Sequence, residues 1–233
     1  MFTESGKVLI EVFLSLLIVS QAHAQPCTER ELAGAINAWT GPSKYVNWFE
    51  CGTKENRFQR SREYASAIIQ ASKLYKHRPS IVAAILEQES GYDRCQVGRP
   101  SRRVAGLPIH PSKAQVVKAY GTAKARKKNR VTRVDVGAAQ FLWPYGAPYG
   151  VTNDVELGTV LTLSWTVDAL GRTLAKHRER TKGRERYGSR FLSPIDYYWT
   201  LHHSYKMSRN YYANVSRRAK RLHAKCMSIR EGT

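Results

Sequence analysis

Ser80-Ile81-Val82-Ala83-Ala84-Ile85-Leu86-Glu87-Gln88-Glu89-Ser90-Gly91 is the most informative stretch of this 233-residue chain. At about 100° per residue, Ile81, Val82, Ile85 and Leu86 gather into one apolar stripe, so the spacing predicts a helix that packs against a core. Pro79 suits its first turn, where a missing N–H has no intrahelical partner to lose. Gly91 suits its end, because glycine enters the left-handed region at little cost. Glu89 falls near the centre of the stripe, whereas Glu87 points to roughly the opposite side. The last turn is the negative end of the helix dipole, so the dipole and partial burial both disfavour the Glu89 anion. A carboxyl group with a raised pKa is a usable general acid near neutral pH. The competing structural expectation is that Glu89 marks the exposed end of a core helix or pairs with an arginine.

Outward from this helix, the periodicity is predominantly helical. Upstream, Thr28 and Glu31 have the spacing of a capping box, and Leu32, Ile36 and Trp39 follow at helical intervals. Tyr64, Ile68, Ala71 and Tyr75 predict a helix from about Arg57 to His77. Downstream, Pro100, Pro108 and Pro111 break the chain, and the segment 94–133 is expected to be an irregular basic insertion. One short helix is expected in it near Ser112 to Tyr120. The run Lys124, Arg126, Lys127, Lys128 and Arg130 is expected to be a loop, with charges too closely spaced to shape a pocket. Asp154 is placed to cap one long helix through Leu157, Leu161, Trp165, Ala169 and Leu174. A further helix follows Ser193-Pro194, and another runs from about Asn210 to Lys225. No stretch alternates convincingly with period two over a useful length, so the expected fold class is all-α or a predominantly helical α+β arrangement.

The ends and composition restrict the setting. Lys7 precedes an apolar run from Val8 to Val19 that closes on Ala22-His23-Ala24, the pattern of a removable export signal over 1–24. A permanent span needs roughly 20 apolar residues, which this run does not reach. The mature chain, 25–233, is then a single domain, periplasmic or secreted. Its four cysteines, Cys27, Cys51, Cys95 and Cys226, are expected to form two disulfides, with three pairings open. No C-x-x-C or H-E-x-x-H spacing points to zinc, and no metal or cofactor is expected. The net charge of +20, rising to +21 without Glu4, Lys7 and Glu11, favours polyanionic partners. For an exported chain, anionic wall polymer or a membrane surface comes before nucleic acid.

Glu89-Ser90-Gly91-Tyr92-Asp93 resembles the E-S-x-[FY]-[ND] signature of the soluble lytic transglycosylases. Asp135-Val136-Gly137-Ala138-Ala139-Gln140-Phe141 is similar to their G-L-M-Q-[IL] segment. The resemblance spans roughly Ser61 to Leu222 and implies a lysozyme-like, goose-type fold. It departs in two places: 48 positions separate Glu89 from Gly137, and the third motif, A-Y-N-x-G, is represented only by Leu201-His202-His203-Ser204-Tyr205. His202 then stands where the family has a tyrosine, though a histidine on that aromatic face equally fits a packed core position.

The implied substrate is the peptidoglycan glycan strand. Glu89 would protonate the glycosidic oxygen between N-acetylmuramic acid and N-acetylglucosamine, then take the proton of the muramic C6 hydroxyl as a 1,6-anhydro ring closes. Ser90, Tyr92, Asp135, Gly137, Gln140 and His202 would bind substrate. Gln140 and the backbone of Gly137 to Ala139 would hold N-acetyl groups, and Gly137 would let the glycan approach closely. Gln140 as a mere loop amide is the plainer alternative. Of the aromatics Tyr92, Trp143, Tyr145, Tyr149, Tyr197, Tyr198 and Trp199, some would floor the groove and most would pack the core. Two rivals remain open: a hydrolytic muramidase or chitinase in which Asp135 or Asp93 positions water, and a non-enzymatic wall- or polyanion-binding protein.

Overall fold

A computed structural model of the chain describes residues 26–38, 48–144, 155–182, 186–187, 190–191 and 208–232. The segment 1–24, Trp39, Asp154 and the stretch from Ser193-Pro194 through Tyr205 lie outside them. The described chain is mostly helical.

Helix α1, Glu29–Ala38, opens with a capping box: the Thr28 N–H donates to Glu31 Oε2 at 2.8 Å, and the Glu31 N–H donates to Thr28 Oγ1 at 3.3 Å. A short hairpin of β1, Trp48–Glu50, and β2, Thr53–Glu55, leads into α2, Arg57–Tyr75. Asn56 caps α2 by accepting from the Phe58 and Gln59 N–H groups, and Lys76 closes it in the left-handed region. Then comes α3, Pro79–Ser90, with Pro79 in its first turn and Gly91 at φ 62° as its cap. Three short helices follow: α4, Arg99–Val104; α5, Lys113–Tyr120; and α6, Ala123–Lys128. Strands β3, Val134–Val136, and β4, Phe141–Trp143, make a second antiparallel hairpin. Helices α7, Leu157–Val160, and α8, Leu163–Lys182, precede a third hairpin, β5, Arg186–Tyr187, with β6, Arg190–Phe191. The long helix α9, Ser208–Glu231, closes the described chain.

Helix α3 is central. A 12-residue helix is marginal by itself in water, so its stability has to come from tertiary burial. Each fully enclosed Ile or Leu adds about 1.5–3 kcal/mol, and Val82, Ile85 and Leu86 are all sealed from solvent. They join Leu32 and Ile36 of α1, Tyr64 and Ile68 of α2, Leu170 and Leu174 of α8, and Val215 and Leu222 of α9 in the main core. A second, smaller core gathers Val97, Val116, Tyr120, Val134, Val136, Trp143, Leu157, Val160 and Leu161. Trp165 packs against both.

Two disulfides, Cys27–Cys226 and Cys51–Cys95, select one of the three pairings. The first ties the start of α1 to α9; the second ties the first hairpin to the loop after α3. Among the described residues, no helix is long and apolar enough to cross a membrane.

Among the described residues there are three strand pairs, whose strands of two or three residues are too short to show alternation, as fits a predominantly helical chain. Three expectations need correction. The single helix expected through Leu157 to Leu174 breaks at Leu161-Thr162, where the Thr166 hydroxyl donates to the Val160 carbonyl at 2.9 Å. The segment 94–133 carries three helices rather than one, each with a proline or side-chain device at its start: Pro100, the Ser112–Gln115 capping box, and Thr122. The basic run is therefore mostly helical: Lys124, Arg126, Lys127 and Lys128 lie on α6, and Arg130 turns left-handed just after it.

Candidate active site at the junction of the two cores

The end of α3 is pinned from several sides. The Gly91 N–H donates to the Glu87 carbonyl at 3.1 Å, which closes the last turn. The Ser90 hydroxyl donates to the Leu86 carbonyl at 3.2 Å and accepts from the Asp93 N–H at 3.2 Å. Tyr92 follows at φ 67°, a conformation that costs a non-glycine residue energy and needs support from its surroundings. Tyr64 supplies that support: its hydroxyl donates to the Tyr92 carbonyl at 2.8 Å, and its ring meets the Tyr92 ring edge-on at 5.2 Å between centroids. In the last turn so held, Glu89 is half-buried, and its Oε1 is out of contact with solvent.

The second motif is joined to the segment that follows this turn. The Gln96 carbonyl accepts from the Gly137 N–H at 2.9 Å and from Gln140 Nε2 at 3.1 Å. The Gly98 N–H donates to the Asp135 carbonyl at 2.9 Å, and Val97 bridges Val136 in antiparallel fashion. Segments some 40 residues apart in sequence thus form one small sheet-like unit, with Tyr92, Ala138, Ala139 and Phe141 in the main core and Val97, Val134 and Val136 in the smaller one. The turn from β3 to β4 has Gly137 at φ 84° and Gln140 at φ 50°. Gln140 Nε2 also donates to the Gly137 carbonyl at 2.8 Å, so the amide nitrogen braces the turn and the amide oxygen is the end able to meet a ligand. A methyl group at Gly137 would meet only ordinary contacts, at 3.7 Å or beyond, so the positive φ rather than close packing calls for glycine.

Several expected substrate contacts turn out to have framework roles. Tyr92 is fully enclosed and does not floor a groove; burial holds its phenol well above the ordinary value. Trp143 is also buried, donating its indole N–H to the Tyr120 carbonyl at 3.2 Å. Asp93 is buried and accepts from the N–H groups of both disulfide partners, Cys51 at 3.3 Å and Cys95 at 2.9 Å, while His110 Nδ1 stands 3.2 Å from its other oxygen. A carboxylate so occupied organises the Cys51–Cys95 loop and is badly placed to direct water. Asp135 stays half-buried on β3, packed against Gly98. His202, His203, Tyr145, Tyr149, Tyr197, Tyr198 and Trp199 lie outside the described residues.

Glu87 departs most from expectation. It does lie away from Glu89, but that side of α3 is covered by α9. Its side chain is sealed from solvent and paired with Arg218 and Arg221, while Arg218 Nε also donates to Gln88 Oε1 at 2.9 Å. A helix buried on nearly every side does not sort its carboxylates by an apolar stripe; partners do. The sequence does hold a signal for this, since Arg218 and Arg221 are three apart and share a face of α9.

The basic segment contains a shaped hollow of about 460 Å³ lined by Ala123, Arg126, Lys127, Arg130, Val131, Thr132 and Pro144. The expectation that these charges form a loop without a shaped sugar pocket is thus altered only in that Lys127 lies on a helix and the chain turns at Arg130, so that they border a common hollow. Among the described residues, no group of three or more His, Cys, Asp or Glu is arranged to hold a metal. No family model matches the chain, and neither a curated protein nor a solved structure matches it significantly.

Proposed function

We propose that the chain is an exported lytic transglycosylase with a lysozyme-like fold, acting on the peptidoglycan glycan strand. The observation that carries this reading is the proximity of its two motifs: Gln96 to Gly98, which follow the first motif after a short turn, bond to Asp135, Val136, Gly137 and Gln140 of the second. Two segments that resemble motifs of one family are thus brought close together, as a shared site requires. The two disulfides fit an oxidising compartment, periplasmic or extracellular.

Glu89 carries the chemistry in this reading. Its last-turn position, at the negative end of the helix dipole, disfavours the anion, which suits a group that begins the reaction protonated. The proton passes to the oxygen between N-acetylmuramic acid and N-acetylglucosamine as that C–O bond breaks. The Glu89 carboxylate then accepts the proton of the muramic C6 hydroxyl, whose oxygen bonds to C1 and closes the anhydro ring. The Gln140 amide oxygen and Asp135 stand as hydrogen-bonding groups for the sugar, and Ser90 and Tyr92 hold the turn that aims Glu89.

The decisive experiment is digestion of purified sacculi with weighing of the released muropeptides. Anhydro products, one water lighter than hydrolytic ones, are expected from the wild type and none from Glu89→Gln. Hydrolytic products would replace the reading with a muramidase. A second reading, wall binding without cleavage, is favoured by the cationic hollow; association with sacculi but no released fragments would establish it.

A further inference from the structure

From Arg94 to Arg133 the chain contains 12 lysines and arginines and no aspartate or glutamate. So one-sided a segment lacks the internal ion pairs that would quench its field, and it packs on the smaller core that it shares with β3, β4 and α7, fastened by Cys51–Cys95. Within it the hollow beside α6 concentrates three cations. Arg126 is half-buried and its direction is set by donation from Nη1 to the Tyr120 carbonyl at 2.9 Å. The backbone at Arg130 is fixed by the corner after α6, where its own N–H donates to the Lys127 carbonyl at 3.0 Å and the Val131 N–H donates to the Arg126 carbonyl at 3.0 Å; the Lys127 and Arg130 side chains are exposed at the rim of the hollow. None of the seven lining residues is acidic, and Ala123, Val131 and Pro144 add apolar surface between the charges.

We propose that this hollow is a binding site for a phosphate group. Three cations border one open concavity, more positive charge than a single carboxylate balances. A tetrahedral phosphate offers more acceptor oxygens and up to two negative charges, and guanidinium forks match it well. A volume of about 460 Å³ admits the phosphate together with the ester group that carries it. That carrier is either the headgroup of an anionic lipid or a soluble phosphate ester, which present the same chemistry. The site does not depend on glycan cleavage.

The test is calorimetric titration of the mature wild-type chain with inorganic pyrophosphate, alongside two double variants that remove equal charge. Lys127→Gln with Arg130→Gln strips the lining; Lys124→Gln with Lys128→Gln strips the same short helix outside it. One saturable site is expected in the wild type, weakened about tenfold or more by the first pair and little by the second, with circular dichroism showing both folded. Pyrophosphate competition against phosphatidylglycerol vesicles, with phosphatidylcholine as control, then separates the carriers: displacement of vesicles assigns the lipid, and its absence the soluble ester. Equal loss in both double variants would reduce the hollow to a diffuse charge field, and no saturable binding in the wild type would remove the site. Either result leaves the assignment of Glu89 intact.

Discussion

Glu87 and Arg218 join the central helix to the C-terminal helix through a carboxylate sealed from solvent, with Arg221 on its second oxygen. Two positions further on, Glu89 is half-buried in the last turn of the same helix, with its Oε1 out of contact with solvent. Two carboxylates on one helix therefore differ in setting: Glu87 is paired across to α9, and Glu89 is the one to which the proposed proton transfer is assigned.

Glu89→Gln should abolish release of muropeptides, a loss on the order of 10²–10⁴-fold, with little change in melting temperature. Glu87→Gln should instead destabilise the fold by about 2–3 kcal/mol, below the usual cost of breaking a buried pair because Arg218 and Arg221 keep partial contact with water. For a chain of this size that is roughly 5–10 °C in Tm. Any lost activity in Glu87→Gln should follow the unfolded fraction. An unchanged Tm in that variant would show that the pairing does not hold α9 to α3.

Gln140 separates bracing from binding. If its amide nitrogen braces the turn, Gln140→Glu places a carboxylate against the carbonyls of Gln96 and Gly137, and Tm should fall further than in Gln140→Ala. Were Gln140 only an acceptor for sugar, Glu would keep that acceptor and the Tm. Thermal melts of the two variants decide between these.

Non-reducing peptide mapping should recover Cys27 with Cys226 and Cys51 with Cys95, and no other pairing. Replacing Cys27 and Cys226 by serine should cost about 2–5 kcal/mol, since the closed loop spans most of the chain. Four alkylatable thiols in protein taken from an oxidising compartment would contradict both bonds.

Glu31 should be visible in the acid limb of the stability curve. Its hydrogen bonds to Arg230, opposed by burial and aided by Thr28, hold its pKa at about 2 against an ordinary 4.5. A depressed folded-state pKa contributes stability that is complete above pH 4.5 and lost as pH falls towards about 2. Chemical denaturation across that window should show a shallower decline in Glu31→Gln than in wild type. Parallel declines would mean that the Glu31–Arg230 pair does not survive in solution.

The local elements were legible because their causes are local. Pro79 and Gly91 mark both ends of α3; the Thr28–Glu31 capping box and the Arg57 to Tyr75 periodicity appear where the spacing put them. The even cysteine count was readable as two disulfides, but the pairing was not, because three pairings satisfy the same count and only the approach of α1 to α9 selects one. The break at Leu161-Thr162 was hidden since apolar periodicity continues through it while the Thr166 hydroxyl takes the Val160 carbonyl.

At the candidate site the sequence by itself singled out two segments: the turn after Glu89 and the stretch from Asp135 to Phe141. Only the tertiary structure decided what their side chains do. Tyr92 and Asp93 look like binding groups in a motif, yet burial and hydrogen bonding make them framework, and Glu87 looks peripheral on a helical wheel until α9 covers it. Periodicity specifies the direction in which a side chain points. What stands there to receive it depends on the packing of segments distant in sequence, and for Glu87 that packing supplies two arginines more than 130 residues away.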